Sequence, residues 1–389
     1  MTAGATRHRP RLTHRVRWAL AATWGLGWTL VHLVSPAGSW HYFATGAHAL
    51  FALGSTGGGL HLYHAHPELQ IGPLSFLVAA PFALLPPPLA KAAAVLAMSA
   101  AGAGVVAVWA RLAPRARAGS LLWATIPLAP AWEELAGRAG HLDDVLALTT
   151  TALALLAVRR GTSPVLVGVL LALAADAKPW ALAFVPVLLV LPAGRRWRAA
   201  LAWAAAVTLA WAPFVLADPG SLLAATYRIP NAAGSALRAL GVTDPVTPWW
   251  CRPAQLGLGV AVGVVLCRRG RAAAVPFAVV AVRMLLDPAT WTYYTAGLLA
   301  TAVVVDLGLA RRSRRSLPVP WFTLTGALLV YLPAYVHDGP LAEEAVHGWL
   351  RAAYLVAALG AAVTVPMRDL LRNRAAYTGA TRPDATIST

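Results

Sequence analysis

Apolar residues run in long stretches along this chain, broken by short polar or basic segments. The stretches near 18–34, 72–86, 89–110, 141–158, 163–177, 179–192, 199–216, 253–267, 272–286, 291–309, 320–336 and 347–365 are each read as a helical span. A helix needs about 20 residues to cross a bilayer core, and several of these stretches are shorter, so their ends are soft. Segment 120–131 (SLLWATIPLAPA) is too short to cross comfortably and is expected to be re-entrant or interfacial. Pro86-Pro87-Pro88 punctuates the hairpin between the second and third spans. The expected fold class is all-α, a polytopic integral membrane protein of about twelve spans plus that re-entrant segment. Residues 1–17 form a basic cytoplasmic N-terminus, 18–373 a single membrane domain with outer loops 35–71 and 218–251, and 374–389 a disordered tail.

Composition agrees with the pattern. The chain has 389 residues, 58% of them hydrophobic and 12% charged, with a mean hydropathy of +0.62. Soluble domains carry about 25% charged residues, so no soluble domain of useful size can be cut from it. The net charge of +17 would suggest nucleic acid in a soluble protein. Here the arginines sit in short runs between apolar spans, so the charge is topological and no nucleic-acid partner is expected. Cys251 and Cys267 flank one span, about 24 Å apart along a helix, too far to form a disulfide.

Orientation follows from the basic runs. With 120–131 not crossing, Arg159-Arg160, Arg195 to Arg198, Arg268 to Arg271, Arg311 to Arg315 and the tail with Arg368, Arg372 and Arg374 all fall inside. The first span is read as uncleaved, with its N-terminus in the cytoplasm and the protein in the plasma membrane. Arg111, Arg115 and Arg117 disagree, because this solution puts them outside. If 120–131 crosses, they move inside and a span between 35 and 110 must be reassigned. The acids Glu68, Glu133, Glu134, Asp143, Asp144, Asp176, Asp218, Asp244, Asp287, Asp338, Glu343 and Glu344 gather at or near the outer face. Acids do little to set orientation, so their gathering suggests an outward-facing polar cavity.

Four outer clusters carry the candidate chemistry. The stretch 35–71 holds His41, His48, His61, His64 and His66, several aromatics and a single acid, Glu68, without Lys or Arg. The second cluster is 132–144, with His141, Asp143 and Asp144. In the third, Asp176-Ala177-Lys178-Pro179 makes a tight reversal. The fourth, 218–251, holds Tyr227, Arg228, Asn231, Arg238, Asp244 and Trp249-Trp250. Lys178 either holds a phosphate as a point charge or snorkels to the interface. Asp143 and Asp144 either complement a helix N-terminus or bind sugar hydroxyls. Trp249 and Trp250 belong to an aromatic belt or stack on a sugar face. The spacing His61-x-x-His64-x-His66 is weak for zinc, which favours a defined ligand set.

Tyr63, His66 to Leu74 (HPELQIGPL), Gly140-His141-Leu142-Asp143, Gly168, Lys178-Pro179, Asp287-Pro288 and Tyr293-Tyr294 occur in this order. Together they resemble the bacterial polyprenol-phosphate-mannose-dependent mannosyltransferases (glycosyltransferase family 87) of the GT-C superfamily, over roughly residues 38 to 310. The resemblance implies transfer of a hexose, mannose above all, from a polyprenyl-phosphate donor to a lipid or glycan acceptor at the outer face, with inversion. The partners it implies are that donor, that acceptor and membrane lipids. No cofactor is expected, with a divalent cation left open. The donor and substrate would contact His66, Gln70, His141, Asp144, Lys178, Tyr227, Arg228 and Trp249. In the family a carboxylate early in the first outer loop acts as base, but Gly38-Ser39-Trp40-His41 has none. Glu68 from the far end of the loop is the favoured base, with His41 or Asp143 (or Asp144) as alternatives. Two other functions stay open: a transporter or flippase for lipid-linked or polar solutes, and a non-catalytic relative.

Overall fold

The computed structural model describes residues 14–112, 118–309 and 319–371. The basic run before His14, Arg115, Arg117, residues 310–318 and the tail beyond 371 lie outside the described residues. Among the described residues the fold is helical and has no β-strand. Three helices among the described residues are long and apolar enough to cross a membrane: Pro87–Leu112, Ala193–Ala217 and Glu344–Thr364. Much of their surface is bare. On Ala193–Ala217, Leu209 is 75% and Leu216 83% exposed. Water would penalise such a face, whereas lipid accepts it.

Helices α1 (His14–His32) and α2 (Trp40–Phe51) come first, then α3 (Leu62–Ala65), α4 (Pro73–Ala83), α5 (Pro87–Leu112) and α6 (Ala118–Glu133). The stretch 35–71 is therefore not the open loop expected from its polarity. Trp40, Phe43 and Ala47 fall at helical spacing and bury one face of α2. That face packs on α4 so closely that a Cβ at Gly46 would overlap the Phe76 ring.

Segment 120–131 is not a separate short element. It is the middle of α6, which continues through a π-helical stretch, Glu134–Ala139. Hydropathy hid this continuation, because Glu133, Glu134 and Arg138 end the apolar run while the backbone goes on. Trp24 Nε1 donates to the Ile126 carbonyl at 3.1 Å, Thr29 Oγ1 donates to Glu133 Oε1 at 2.9 Å, and Gly137 rests on His32. Residue numbers rise together along both helices, so α1 and α6 run parallel. Arg111, at the end of α5 that leads into α6, consequently lies at the same end of the bundle as the start of α1.

The run 72–86 makes the compensating change. Its helix α4 has eleven residues, about 16 Å, and both ends stay at one end of the bundle. Gly72 N donates to the Ala177 carbonyl at 3.0 Å. At the far end Phe82 meets Trp40, and beyond it Lys91 Nζ reaches the Ser35 carbonyl at 3.1 Å. Prolines at 73, 81 and 86–88 keep this segment short.

The chain continues through α7 (Leu142–Arg160), α8 (Pro164–Ala177), the 3₁₀ stretch Pro179–Val190, α9 (Ala193–Ala217), α10 (Ala236–Ala239), α11 (Cys251–Arg268) and α12 (Val275–Leu285). It ends with α13 (Tyr294–Leu309), α14 (Trp321–Gly326) and α15 (Glu344–Thr364). Gly140 and Gly161, at φ of 69° and 66°, make the left-handed turns that bracket α7. Pro179 cannot continue α8, which places Lys178 at a sharp reversal. A basic end collects Arg111, Arg159, Arg195, Arg268, Arg269 and Arg271. There Arg195 Nη2 donates to the Gly161 carbonyl at 3.1 Å, and Arg271 Nη1 to the Ala362 carbonyl at 3.0 Å. The opposite end gathers residues 35–72, Asp143, Lys178, Asp218 and Asp287.

Candidate functional site

Three helix ends build the charged centre. Leu142 starts α7 with Asp143 and Asp144 in its first turn, Lys178 caps α8, and α12 brings Arg283 one turn before Asp287. Lys178 Nζ donates to Asp143 Oδ2 and lies 3.5 Å from Asp144 Oδ2. Arg283 Nη1 donates to Asp144 Oδ1 at 3.2 Å, and its Nε is 3.6 Å from Asp287 Oδ2. The Arg283 guanidinium sits 4.8 Å from the Trp180 ring centre and 4.2 Å from that of Tyr294. Two aromatic faces thus hold its plane, which favours cation–π attraction. Trp180 Nε1 donates to Asp144 Oδ1 at 3.3 Å.

Beside this network opens a cavity of about 720 Å³. Lys178, Arg228, Arg252 and Arg283 line it, with Asp287 the one carboxylate among the described lining residues. Tyr63, Trp180, Leu182, Trp211 and Leu256 give it an apolar and aromatic wall. Arg252 Nη2 donates to Gln70 Oε1 at 2.8 Å, and Gln70 Nε2 donates to the Tyr227 carbonyl at 3.2 Å. These bonds join the 62–72 segment to the 226–252 segment across the mouth. Burial pushes the Asp287 carboxyl above the usual carboxylate range, against the opposing pull of Arg283. Such a space suits an anion joined to an apolar chain.

No family model, curated protein or solved structure matches this chain. The function must therefore be argued from the site.

The residues expected from sequence divide into two groups. His141, Asp143, Asp144 and Lys178 come together at the charged centre, and Gln70, Tyr227, Arg228 and Trp249 line the cavity beside it. Glu68, His66 and His41 do not join them. His66 Nδ1 lies 3.2 Å from Glu68 Oε1 in a pair that is about 40% exposed on each side (38% and 42%). His41 Nδ1 meets the Gly38 carbonyl of its own turn at 2.8 Å. Both neighbourhoods face outward, because side-chain direction on a short helix or turn is not contained in composition. Arg252 and Arg283 were the site residues that sequence reasoning missed, whereas Asp287 was named among the outer-face acids and beside Pro288 but given no role. The available signal was Arg283 alone within the apolar run 275–286, four residues before Asp287.

His141, Asp143 and Asp144 hold ligating atoms within 4.8 Å of one another, a spacing that could admit a divalent ion. Lys178 and Arg283 already lie on those carboxylates. Two fixed cations therefore supply the compensation that such an ion would bring.

A second polar link ties the outer segments together. Asp218 Oδ2 lies 3.1 Å from His61 Nδ1 and 2.9 Å from His64 Nδ1. Hydrogen bonds from His61 and then His64 hold the Asp218 carboxyl below its usual range. A depressed folded pKa means that the link stabilises above the unfolded aspartate value of about 3.9 and is lost as pH falls through the folded value. Asp218→Asn is expected to speed amide hydrogen exchange across residues 57–64 at pH 7. Unchanged exchange there would show that the link does not restrain the segment.

Proposed function

We propose that this protein is a GT-C-like membrane glycosyltransferase, which moves a hexose, mannose in the first instance, from a polyprenyl phosphate to a lipid or glycan acceptor. The single observation that carries this reading is the cavity in which Lys178, Arg252 and Arg283 converge beside an apolar, aromatic wall. A lipid-linked phosphate needs both: cations for the phosphate oxygens and apolar surface for the chain. The ordered resemblance of His66 to Leu74, Gly140 to Asp143 and Lys178-Pro179 to the family-87 enzymes supports it independently.

In this reading twelve segments cross the plasma membrane: α1, α5, α6, α7, α8, 179–190, α9, α11, α12, α13, the 321–335 helix and α15. Segment α4 stays at the outer face. The N-terminus and the arginine-rich end are cytoplasmic, and the cavity opens outward. This arrangement brings Arg111 inside and so fits the positive-inside rule better than the alternation read from hydropathy. Glu68→Cys is expected to react with a membrane-impermeant maleimide applied outside intact cells, and Arg160→Cys only after permeabilisation. The reverse pattern would sink the orientation.

Asp287 is the proposed base. Its carboxylate takes the proton of the acceptor hydroxyl as that oxygen bonds to the anomeric carbon. The bond from that carbon to the donor phosphate breaks on the opposite face, and the released phosphate keeps its charge beside Lys178, Arg252 and Arg283. Configuration inverts. Purified protein in vesicles, given polyprenyl-phosphomannose and candidate acceptors, is expected to yield mannosylated product. No product with any acceptor class would remove the reading. Glu68→Gln is expected to keep its rate within about threefold of wild type, because general-base losses run to 10²–10⁴-fold; a loss of that size would return the base to the 35–71 segment.

A further inference from the structure

We propose that Ser39 is a base-activated nucleophile, with His141 as its base and Asp143 as the group that orients the base, and that it accepts the acyl group of a lipid ester at the membrane surface. Ser39 Oγ lies 2.9 Å from His141 Nε2. His141 Nδ1 lies 3.3 Å from Asp143 Oδ1. Each nitrogen thus faces the partner it needs in a serine–histidine–aspartate relay: Nδ1–H donates to the carboxylate, which leaves Nε2 to accept the serine proton. Asp143 is fully buried and is held on its other oxygen by Lys178, so the carboxylate is fixed and charged. The imidazole stacks on Tyr293 with ring centres 3.9 Å apart, which fixes its plane.

Two further observations concern Ser39 itself. It occupies the N-cap of α2, where a serine normally bonds a first-turn N–H, yet its side chain makes no capping bond. The hydroxyl is given to His141 instead. The turn that presents it contains Ala37 at φ 47°, the one positive-φ residue other than glycine among the described residues. Gly140, which precedes His141, lies against Ala37. Strain at a non-glycine residue persists where its surroundings enforce it, and functional turns are common places for it. None of Ser39, His141 and Asp143 lines the 720 Å³ cavity, so this is a second site, which shares His141 and the buried Asp143 with the charged centre.

The substrate class follows from the position. Val34 is 86% exposed and Tyr42 43% exposed on either side of the turn, and α1 leads into it with Leu30 and Val31 bare. An ester carried by an amphipathic lipid meets such a surface. Ser39 Oγ bonds to the ester carbonyl carbon as His141 Nε2 takes its proton. The ester C–O bond breaks, the departing alcohol takes that proton, and water or a second alcohol later releases the acyl group from Ser39.

The test uses the full chain in lipid nanodiscs with an alkyl fluorophosphonate, read by intact mass and peptide mapping. One adduct on Ser39 is expected. It should be absent in Ser39→Ala and formed at least 100-fold more slowly in His141→Gln. The wild-type adduct is itself a readout that does not depend on any variant folding. No adduct on Ser39, or equal labelling in His141→Gln, would each overturn the assignment.

Discussion

Asp287→Asn is expected to lower sugar transfer by about 10²- to 10⁴-fold, the range that general-base catalysis contributes. Asparagine keeps the shape and the bond from Ala289 N, which meets Asp287 Oδ1 at 2.9 Å. It cannot take a proton. The effect should therefore fall on kcat, with donor affinity little changed. A pH profile adds a check that shape cannot imitate. Burial raises the pKa of the Asp287 carboxyl, and only the deprotonated form serves as base. As pH is lowered, the wild-type rate should fall at a higher pH than an ordinary aspartate, near 3.9, would give. The residual rate of Asp287→Asn should lack that limb. A variant with wild-type kcat would remove Asp287 from the chemistry.

Lys178→Met is expected to be the most damaging single change to stability, by about 3–5 kcal/mol. Asp143 is completely buried and Lys178 is its partner. Removing the lysine leaves a buried charge with only His141 and the Asp144 N–H nearby. Losing one partner of a buried pair costs far more than replacing both with apolar groups of similar volume. The double variant Lys178→Met/Asp143→Leu should consequently recover most of the loss in a thermal unfolding series in detergent, while transfer stays abolished. If the double variant is as unstable as the sum of the two single ones, the pair is not coupled and the charged centre is wrongly described.

Much of this architecture was legible from residues alone, for reasons that differ by element. The α7 and α8 helices, and the reversal at Lys178-Pro179 between α8 and the next segment, followed from apolar runs ended by proline and glycine. The convergence of Asp143, Asp144 and Lys178 followed from placing span ends at one face. Hydropathy could not distinguish α4 from α6. A short apolar helix and a longer one look alike when the second continues through Glu133, Glu134 and Arg138. The buried carboxylates there are satisfied mainly by partners far away in sequence: Glu133 by Thr29 and Ser99, Glu134 by Thr292 as well as by Arg138 one turn on. Glu68 drew attention as the lone acid of its segment, but its partner is the neighbouring His66. Arg283 stayed hidden because an arginine in an apolar run reveals its role only through what faces it, here Asp144, Trp180 and Tyr294.

The parallel pairing of α1 and α6 has a consequence for biosynthesis. Thr29 and Glu133 are 104 residues apart. At about 5–20 residues per second, the ribosome delivers Glu133 roughly 5–20 s after Thr29. Helix α1 is therefore synthesised well before its α6 partner, although α5 already reaches the Ser35 carbonyl through Lys91. The bond from Thr29 to Glu133 can close only after more than a quarter of the chain has been made.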